Sequence, residues 1–211
     1  MLDLREHLNK HFRFQGGLDN LPILATSLRR GRSDTRGRQT LGKVMNDMGV
    51  KKMVEVGTRY GASAILWKQH IPDLDLTCID PYRAYHRIRQ ESQDKIYAAA
   101  CLHAEQYGFK LIRKASLDAV DDFEDESLDA VNIDDDHTFD ACVQGIIRWA
   151  RKVKKGGLVL VHDYCAFGLS GVMWAVNGYT HSHKIDPWFV TRDLEPTAFW
   201  QRGAEKAGLG S

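Results

Sequence analysis

An apolar run that stops in a glycine turn, MVEVGTRYGAS from Met53 to Ser63, constrains this chain more than any other segment. Val54 and Val56 are β-branched and flank Glu55, so Lys52 to Val56 reads as a buried strand. Gly57 follows directly, where the chain must turn sharply and a ligand can approach the backbone. Gly61 then opens a helix, Ala62 to His70. A strand that enters a helix through such a turn can cradle a nucleoside, provided further strand–helix units build a sheet around it.

They do follow. Leu74 to Ile79, Phe109 to Arg113, Leu128 to Ile133 and Leu158 to His162 read as strands, the last introduced by the Lys155-Gly156-Gly157 turn. Helical spacing marks Arg87 to Tyr107, Thr138 to Lys152 and Gly168 to Tyr179. In the second of these, Phe139, Cys142, Val143, Ile146, Ile147 and Ala150 read as core. Repeated strand–helix alternation predicts a parallel sheet covered on both faces. Trp188 to Thr191 and Ala198 to Gln201 read as a closing antiparallel hairpin. The expected fold is a doubly wound, Rossmann-like, seven-stranded sheet, mostly parallel, with that hairpin at its C-terminal edge. Trp188, Phe189, Phe199 and Trp200 read as the edge of the core, with a homo-oligomer surface as the other reading.

Residues 1–45 read as a helical and loop cap, and 46–211 as the single main domain. Within the cap, LRRGRSDTRGR (Leu28 to Arg38) reads as a solvated loop, because Gly, Ser, Asp and Thr interrupt its charges. A formal net charge of +1 gives no basic surplus for nucleic acid. No apolar run reaches the length of a membrane span, and the first residues lack the apolar stretch of a secretory signal. The four cysteines show no C-x-x-C spacing and read as free thiols of a reducing cytoplasm.

The turn itself narrows the ligand. Its pattern is G-x-x-x-G, with Tyr60 where dinucleotide fingerprints need a small residue. Glu55 would repel a pyrophosphate but suits an amino group. Asp80 ends the second strand, 23 residues after Gly57, where a carboxylate can accept both ribose hydroxyls. A ribose, a positive amino group and no phosphate describe S-adenosylmethionine. Its expected contacts are Glu55, Gly57, Thr58, Tyr60, Gly61, Ser63, Asp80 and Pro81.

VEVGTRYGAS resembles the first motif of class I S-adenosylmethionine-dependent methyltransferases, and CIDPY (Cys78 to Tyr82) resembles their second. NIDDDHTFD followed by KKGGLVLVHDY is similar to the pattern of small O-methyltransferases of the macrocin and catechol type. The resemblance covers about residues 50 to 165. It implies a strand order in which the fourth and fifth strands are neighbours, about 4.8 Å apart. Asp134 and Asp163 would then end adjacent strands and repel unless a positive charge lies between them; magnesium, a hard ion with oxygen ligands, is the natural partner. The resemblance implies the same metal role, implies that Asp134 also borders the cofactor, and makes His137 the base. Ser116 matches the adenine-contacting position, although it also reads as the N-cap of a short helix.

Two positions depart from the pattern: Asp135 replaces a glycine, and Tyr164 stands where some relatives carry a further ligand. Strand alternation turns His162 away from Asp163, so it reads as a packed histidine. His181 and His183 lack a third ligand nearby. Acceptor selectivity is expected in the first 45 residues, the Tyr82 to Arg89 loop and the segment after Tyr164. The leading expectation is O-methylation of a hydroxyl on a small molecule or sugar. The alternative is a non-catalytic or regulatory protein that keeps the fold. The missing third glycine and Glu55 argue against an NAD oxidoreductase. A nucleic-acid methyltransferase lacks its Pro-Pro-aromatic or Pro-Cys motif here.

Overall fold

The computed structural model describes residues 36–85, 88–165, 171–191 and 195–203. The described elements run α1 (Arg36–Asp47), β1 (Lys52–Val56), α2 (Ala62–His70), β2 (Asp75–Ile79), α3 (Gln90–Tyr107), β3 (Lys110–Ile112) and α4 (Ser116–Ala119). A 3₁₀ turn (Val120–Asp122) follows. Then come β4 (Leu128–Ile133), α5 (Phe139–Ala150), β5 (Val153–Val161), α6 (Gly171–Ser182), β6 (Trp188–Val190) and β7 (Ala198–Gln201). Seven described strands form one sheet in the order β3-β2-β1-β4-β5-β7-β6. The first five pair in parallel, and β7 runs antiparallel between β5 and β6.

Alternation along β1 sends Val54 and Val56 to one face and Met53 and Glu55 to the other. The first face is covered by α5 and α6 through Ile146, Trp149, Val172 and Val176. The second is covered by α1 and α2 through Leu41, Val44, Met45, Ala64 and Trp67. With both faces buried, the inner strands carry near-continuous apolar runs. Leu41, Val44 and Met45, at helical spacing and fully buried, put part of α1 into the core. Residues 1–35, with most of the basic stretch, lie outside the described residues.

The register aligns the strand ends that carry the chemistry. Val56 pairs with Ile79 and Ile133, Ile79 with Ile112, and Ile133 with Val161. Gly57, Asp80, Asp134 and His162 therefore leave the sheet at one level. Across β1 and β4 the strand order reverses, which opens a crevice at the carboxyl ends. Gly57 sits there at φ 86°, and a Cβ on it would lie 1.7 Å from the Asp134 carbonyl oxygen.

One strand differs from expectation. β5 begins at Val153, and Lys155-Gly156-Gly157 lies within it as a bulge rather than ahead of it. Leu128 pairs with Val153 and Ala130 with Leu158, so the pairing register shifts between them. Glycine permits this, because a Cβ at Gly157 would meet the Asp129 carbonyl oxygen at 2.5 Å. The hairpin aromatics Trp188, Phe189, Phe199 and Trp200 are all buried in the chain's own core. No described helix is long and apolar enough to cross a membrane.

Gly57→Ala is expected to cost at least about 2 kcal/mol and to lower the melting midpoint by more than about 5 °C. Gly49→Ala is the control, since Gly49 also has positive φ but nothing lies within 4 Å of its added Cβ. Equal losses in the two variants by thermal circular dichroism would contradict the close-approach argument.

Candidate active site

One side of the crevice is built on the β1 turn. Gly57, Arg59 and Gly61 all take positive φ. Gly61 N–H donates to the Thr58 carbonyl at 2.8 Å and closes the turn. Gly61 caps α2, and Ser63 stands half-buried in its first turn. Thr58 is buried, whereas Tyr60 is exposed. Asp80 holds this loop: its Oδ2 accepts from Arg59 N–H at 2.8 Å and its Oδ1 from Tyr82 N–H at 2.9 Å. Burial pushes its carboxyl upward against those bonds. Each oxygen can accept one further hydrogen bond. Pro81, half-buried, follows it.

Glu55 lies beneath the turn, buried, with its Oε2 accepting from Trp67 Nε1 at 2.8 Å and Asn132 Nδ2 at 3.3 Å. Burial raises its pKa to about 7. Ser116 is the first residue of α4, not its cap; its Oγ accepts from Trp149 Nε1 at 3.0 Å. The Asp135 carboxylate stands near Asp80 and Ser116, and burial together with the Asp80 and Asp136 charges raises its pKa to about 6. Asp135 thus lies on the Asp80 and Ser116 side of the crevice, at a position where the family pattern has a glycine.

Next to it, four side chains from two strand ends converge. His137 Nε2 lies 3.0 Å from Asp163 Oδ2 and 3.7 Å from Asp134 Oδ1. His162 Nδ1 lies 3.3 Å from Asp134 Oδ1 and 3.3 Å from Asp163 Oδ1. The Asp134 and Asp163 carboxylates push His137 up to about 10. Burial opposes the charged form of His162, yet the same carboxylates push it to about 10. In return, and despite burial, the imidazoles hold Asp134 and Asp163 below the usual carboxylate range.

The structure thus brings Asp134, His137 and Asp163 together as expected, and adds His162. Alternation misplaces His162 because β5 ends at Val161 and Asp163 turns to φ 56°. The histidine is packed, as its position suggested, but its ring faces the two aspartates. Tyr164 contributes no ligand: it is buried, with its hydroxyl donating to Asn177 Oδ1 at 2.8 Å. Glu195 was not legible as a site residue; it comes from the β6–β7 connection, which ends beside β5. His162, Asp163 and Glu195 offer donor atoms within 4.8 Å of one another, as do Asp134, His137 and Asp163. Two carboxylates at that separation fit a divalent cation. His181 and His183 belong to neither group.

Residues 54–164, just over half of the chain, match the family described as Methyltransferase domain. The chain belongs to that family. The O-methyltransferase from Bacillus cereus, solved in complex with SAH, superposes with a TM-score of 0.58 at 12% identity, over 82% of this chain and 84% of that one. TomG from Streptomyces achromogenes, an O-methyltransferase involved in tomaymycin synthesis and solved with SAM, gives 0.56 at 15% identity, over 87% and 84%. The shared fold is that of the class I S-adenosylmethionine-dependent methyltransferases. The chain is also 29% identical, over 119 residues, to the uncharacterized protein y4gI of Sinorhizobium fredii, a match covering 54% of this chain and 13% of that protein.

The histidine shifts fix a direction for stability. Both imidazoles are raised above 6.5, so their contribution is full below about 6.5 and is lost as pH rises toward about 10. Chelator-treated protein should therefore lose melting temperature between pH 7.5 and 9, and Asp163→Asn should flatten that slope. Parallel slopes in the two proteins would contradict the assigned ion pairs.

Proposed function

We propose that the protein is an S-adenosylmethionine-dependent O-methyltransferase acting on a hydroxyl of a small molecule or sugar. The observation that carries this reading is the side-by-side placement of a glycine turn with its ribose-suited Asp80 and an Asp134–His137–Asp163 group. The SAM- and SAH-bound states of the two similar structures support the cofactor. In this reading Gly57, Thr58, Tyr60, Gly61 and Ser63 surround the amino-acid end of the cofactor. Glu55 attracts its ammonium from below, Asp80 and Pro81 take the ribose, Ser116 borders the adenine, and Asp134 borders the sulfonium. Arg38, near the start of α1, approaches Glu195 at 3.8 Å, which suits an acceptor-side role for that end of the helix.

The reaction asks for alignment and one proton acceptor. The acceptor oxygen attacks the methyl carbon, the carbon–sulfur bond breaks, and the hydroxyl proton passes to His137 Nε2. The sulfonium is already activated, so holding oxygen, methyl and sulfur in line supplies much of the rate. His137 must be neutral to take the proton, whereas the bare carboxylates hold it charged. Asp134 and Asp163 would hold a divalent cation such as magnesium, whose charge lowers the pKa of the acceptor hydroxyl and relieves His137 of compensating both carboxylates. The non-catalytic reading draws on Tyr164, which offers no ligand.

Methyl transfer from labelled cofactor to a panel of hydroxylated small molecules and sugars separates the two. Enzyme activity with His137→Ala lowering kcat by about 10²- to 10⁴-fold is the expected result. A cofactor that binds without any transfer across the panel, with or without magnesium, would favour the non-catalytic reading. Cofactor binding near pH 7 should also release protons, because its ammonium lowers the raised Glu55 pKa. Titration calorimetry in buffers of different ionisation heat reads this, and Glu55→Gln should reduce the release.

A further inference from the structure

Two successive carbonyls of the glycine turn are held from outside it. The Tyr82 hydroxyl donates to the Arg59 carbonyl at 2.9 Å. His103, on the outer part of α3, places Nδ1 2.7 Å from the Tyr60 carbonyl oxygen. A carbonyl only accepts, so that nitrogen carries the proton. The turn needs such support, since Arg59 is a side-chain-bearing residue at φ 49° between two glycines that are also left-handed.

Tyr82 is built as a fixed point. It is fully buried at φ 47°. Its N–H donates to Asp80 Oδ1, and its carbonyl accepts from Gln90 Nε2 at 2.9 Å and Arg113 Nη2 at 3.1 Å. Its ring packs 4.8 Å from that of Tyr97, which lies 4.8 Å below the Arg113 guanidinium. Asp80 is thus tied to Tyr82 on one oxygen and to the turn on the other. Tyr82, the first residue of the loop expected to set acceptor selectivity, is thus packed against the glycine turn.

A trans peptide points its N–H opposite to its C=O. Drawing the Arg59 carbonyl toward Tyr82 turns the Tyr60 N–H the other way. Drawing the Tyr60 carbonyl toward α3 does the same for the Gly61 N–H, which then meets Thr58. We propose that Tyr82 and His103 are positioning residues for the cofactor: together they set the peptide planes of the turn so that the Tyr60 N–H faces the amino-acid end of S-adenosylmethionine. Neither side chain touches the cofactor. The inference rests on the cofactor reading given under the proposed function.

Three variants test it in the full chain, with S-adenosylmethionine as the probe. Tyr82→Phe keeps the ring and removes the donor. His103→Ala removes a side chain from the helix surface, and His103→Asn keeps a donor near the same place. Calorimetric Kd, KM and kcat are measured beside the melting temperature. Tyr82→Phe and His103→Ala should each weaken cofactor binding roughly tenfold, with the loss in KM rather than kcat, and His103→Asn should recover most of it. Cofactor affinity within twofold of wild type in both variants overturns the proposal, as does a lowered melting temperature with unchanged affinity. If Tyr82→Phe does not fold, the His103 pair decides by the same criteria. Wild-type protein that fails to bind the cofactor at all is a different outcome; it removes the cofactor reading and this inference with it.

Discussion

The contact between Gly57 and the Asp134 carbonyl is what the rest of the site depends on. The turn after β1 and the end of β4 approach so closely that no side chain fits between them. Asp134 N–H donates back to the Val56 carbonyl at 2.8 Å, which locks the two strand ends from the other side. The glycine turn and the first residue of the acidic cluster are therefore parts of one corner. The reversal of strand order across β1 and β4 makes this corner a crevice rather than a covered edge.

Acidic groups crowd that crevice, and the protein handles its two halves differently. Glu55 rises toward neutral because burial outweighs its hydrogen bonds, and Asp135 rises because burial is joined by the Asp80 and Asp136 charges. In the neighbouring cluster, Asp134 and Asp163 stay ionised because His137 and His162 stand against them. A cationic cofactor would find carboxylates ready to lose their protons. The paired cluster beside it is already charged on both sides, which makes the protonation of His137 the controlling variable for any base it supplies.

The sheet was legible because burial leaves a plain signature. β1, α2, β4 and β7 span the residues that apolar periodicity assigns them. The β5 start was not, since Lys154 and Lys155 break the apolar run and a double glycine looks like a turn when it is a bulge. The meeting of Asp134, His137 and Asp163 was legible because parallel pairing of β4 and β5 brings the ends of those strands together. His162 was hidden by a parity rule that fails one residue past the strand. Tyr82 and Glu195 were hidden for another reason: their importance lies in contacts to the Arg59 carbonyl and to Asp163, both distant in sequence. Periodicity carries no information about such pairs.

The central claim is that one corner presents the cofactor's methyl group to the Asp134–His137–Asp163 cluster. A crystal structure of the protein soaked or grown with S-adenosylhomocysteine tests it most directly. The account predicts the ribose hydroxyls on Asp80, the amino-acid end along Gly57 to Gly61, and the sulfur facing His137. A nucleoside bound elsewhere, or bound here with its sulfur turned away from that cluster, would contradict it.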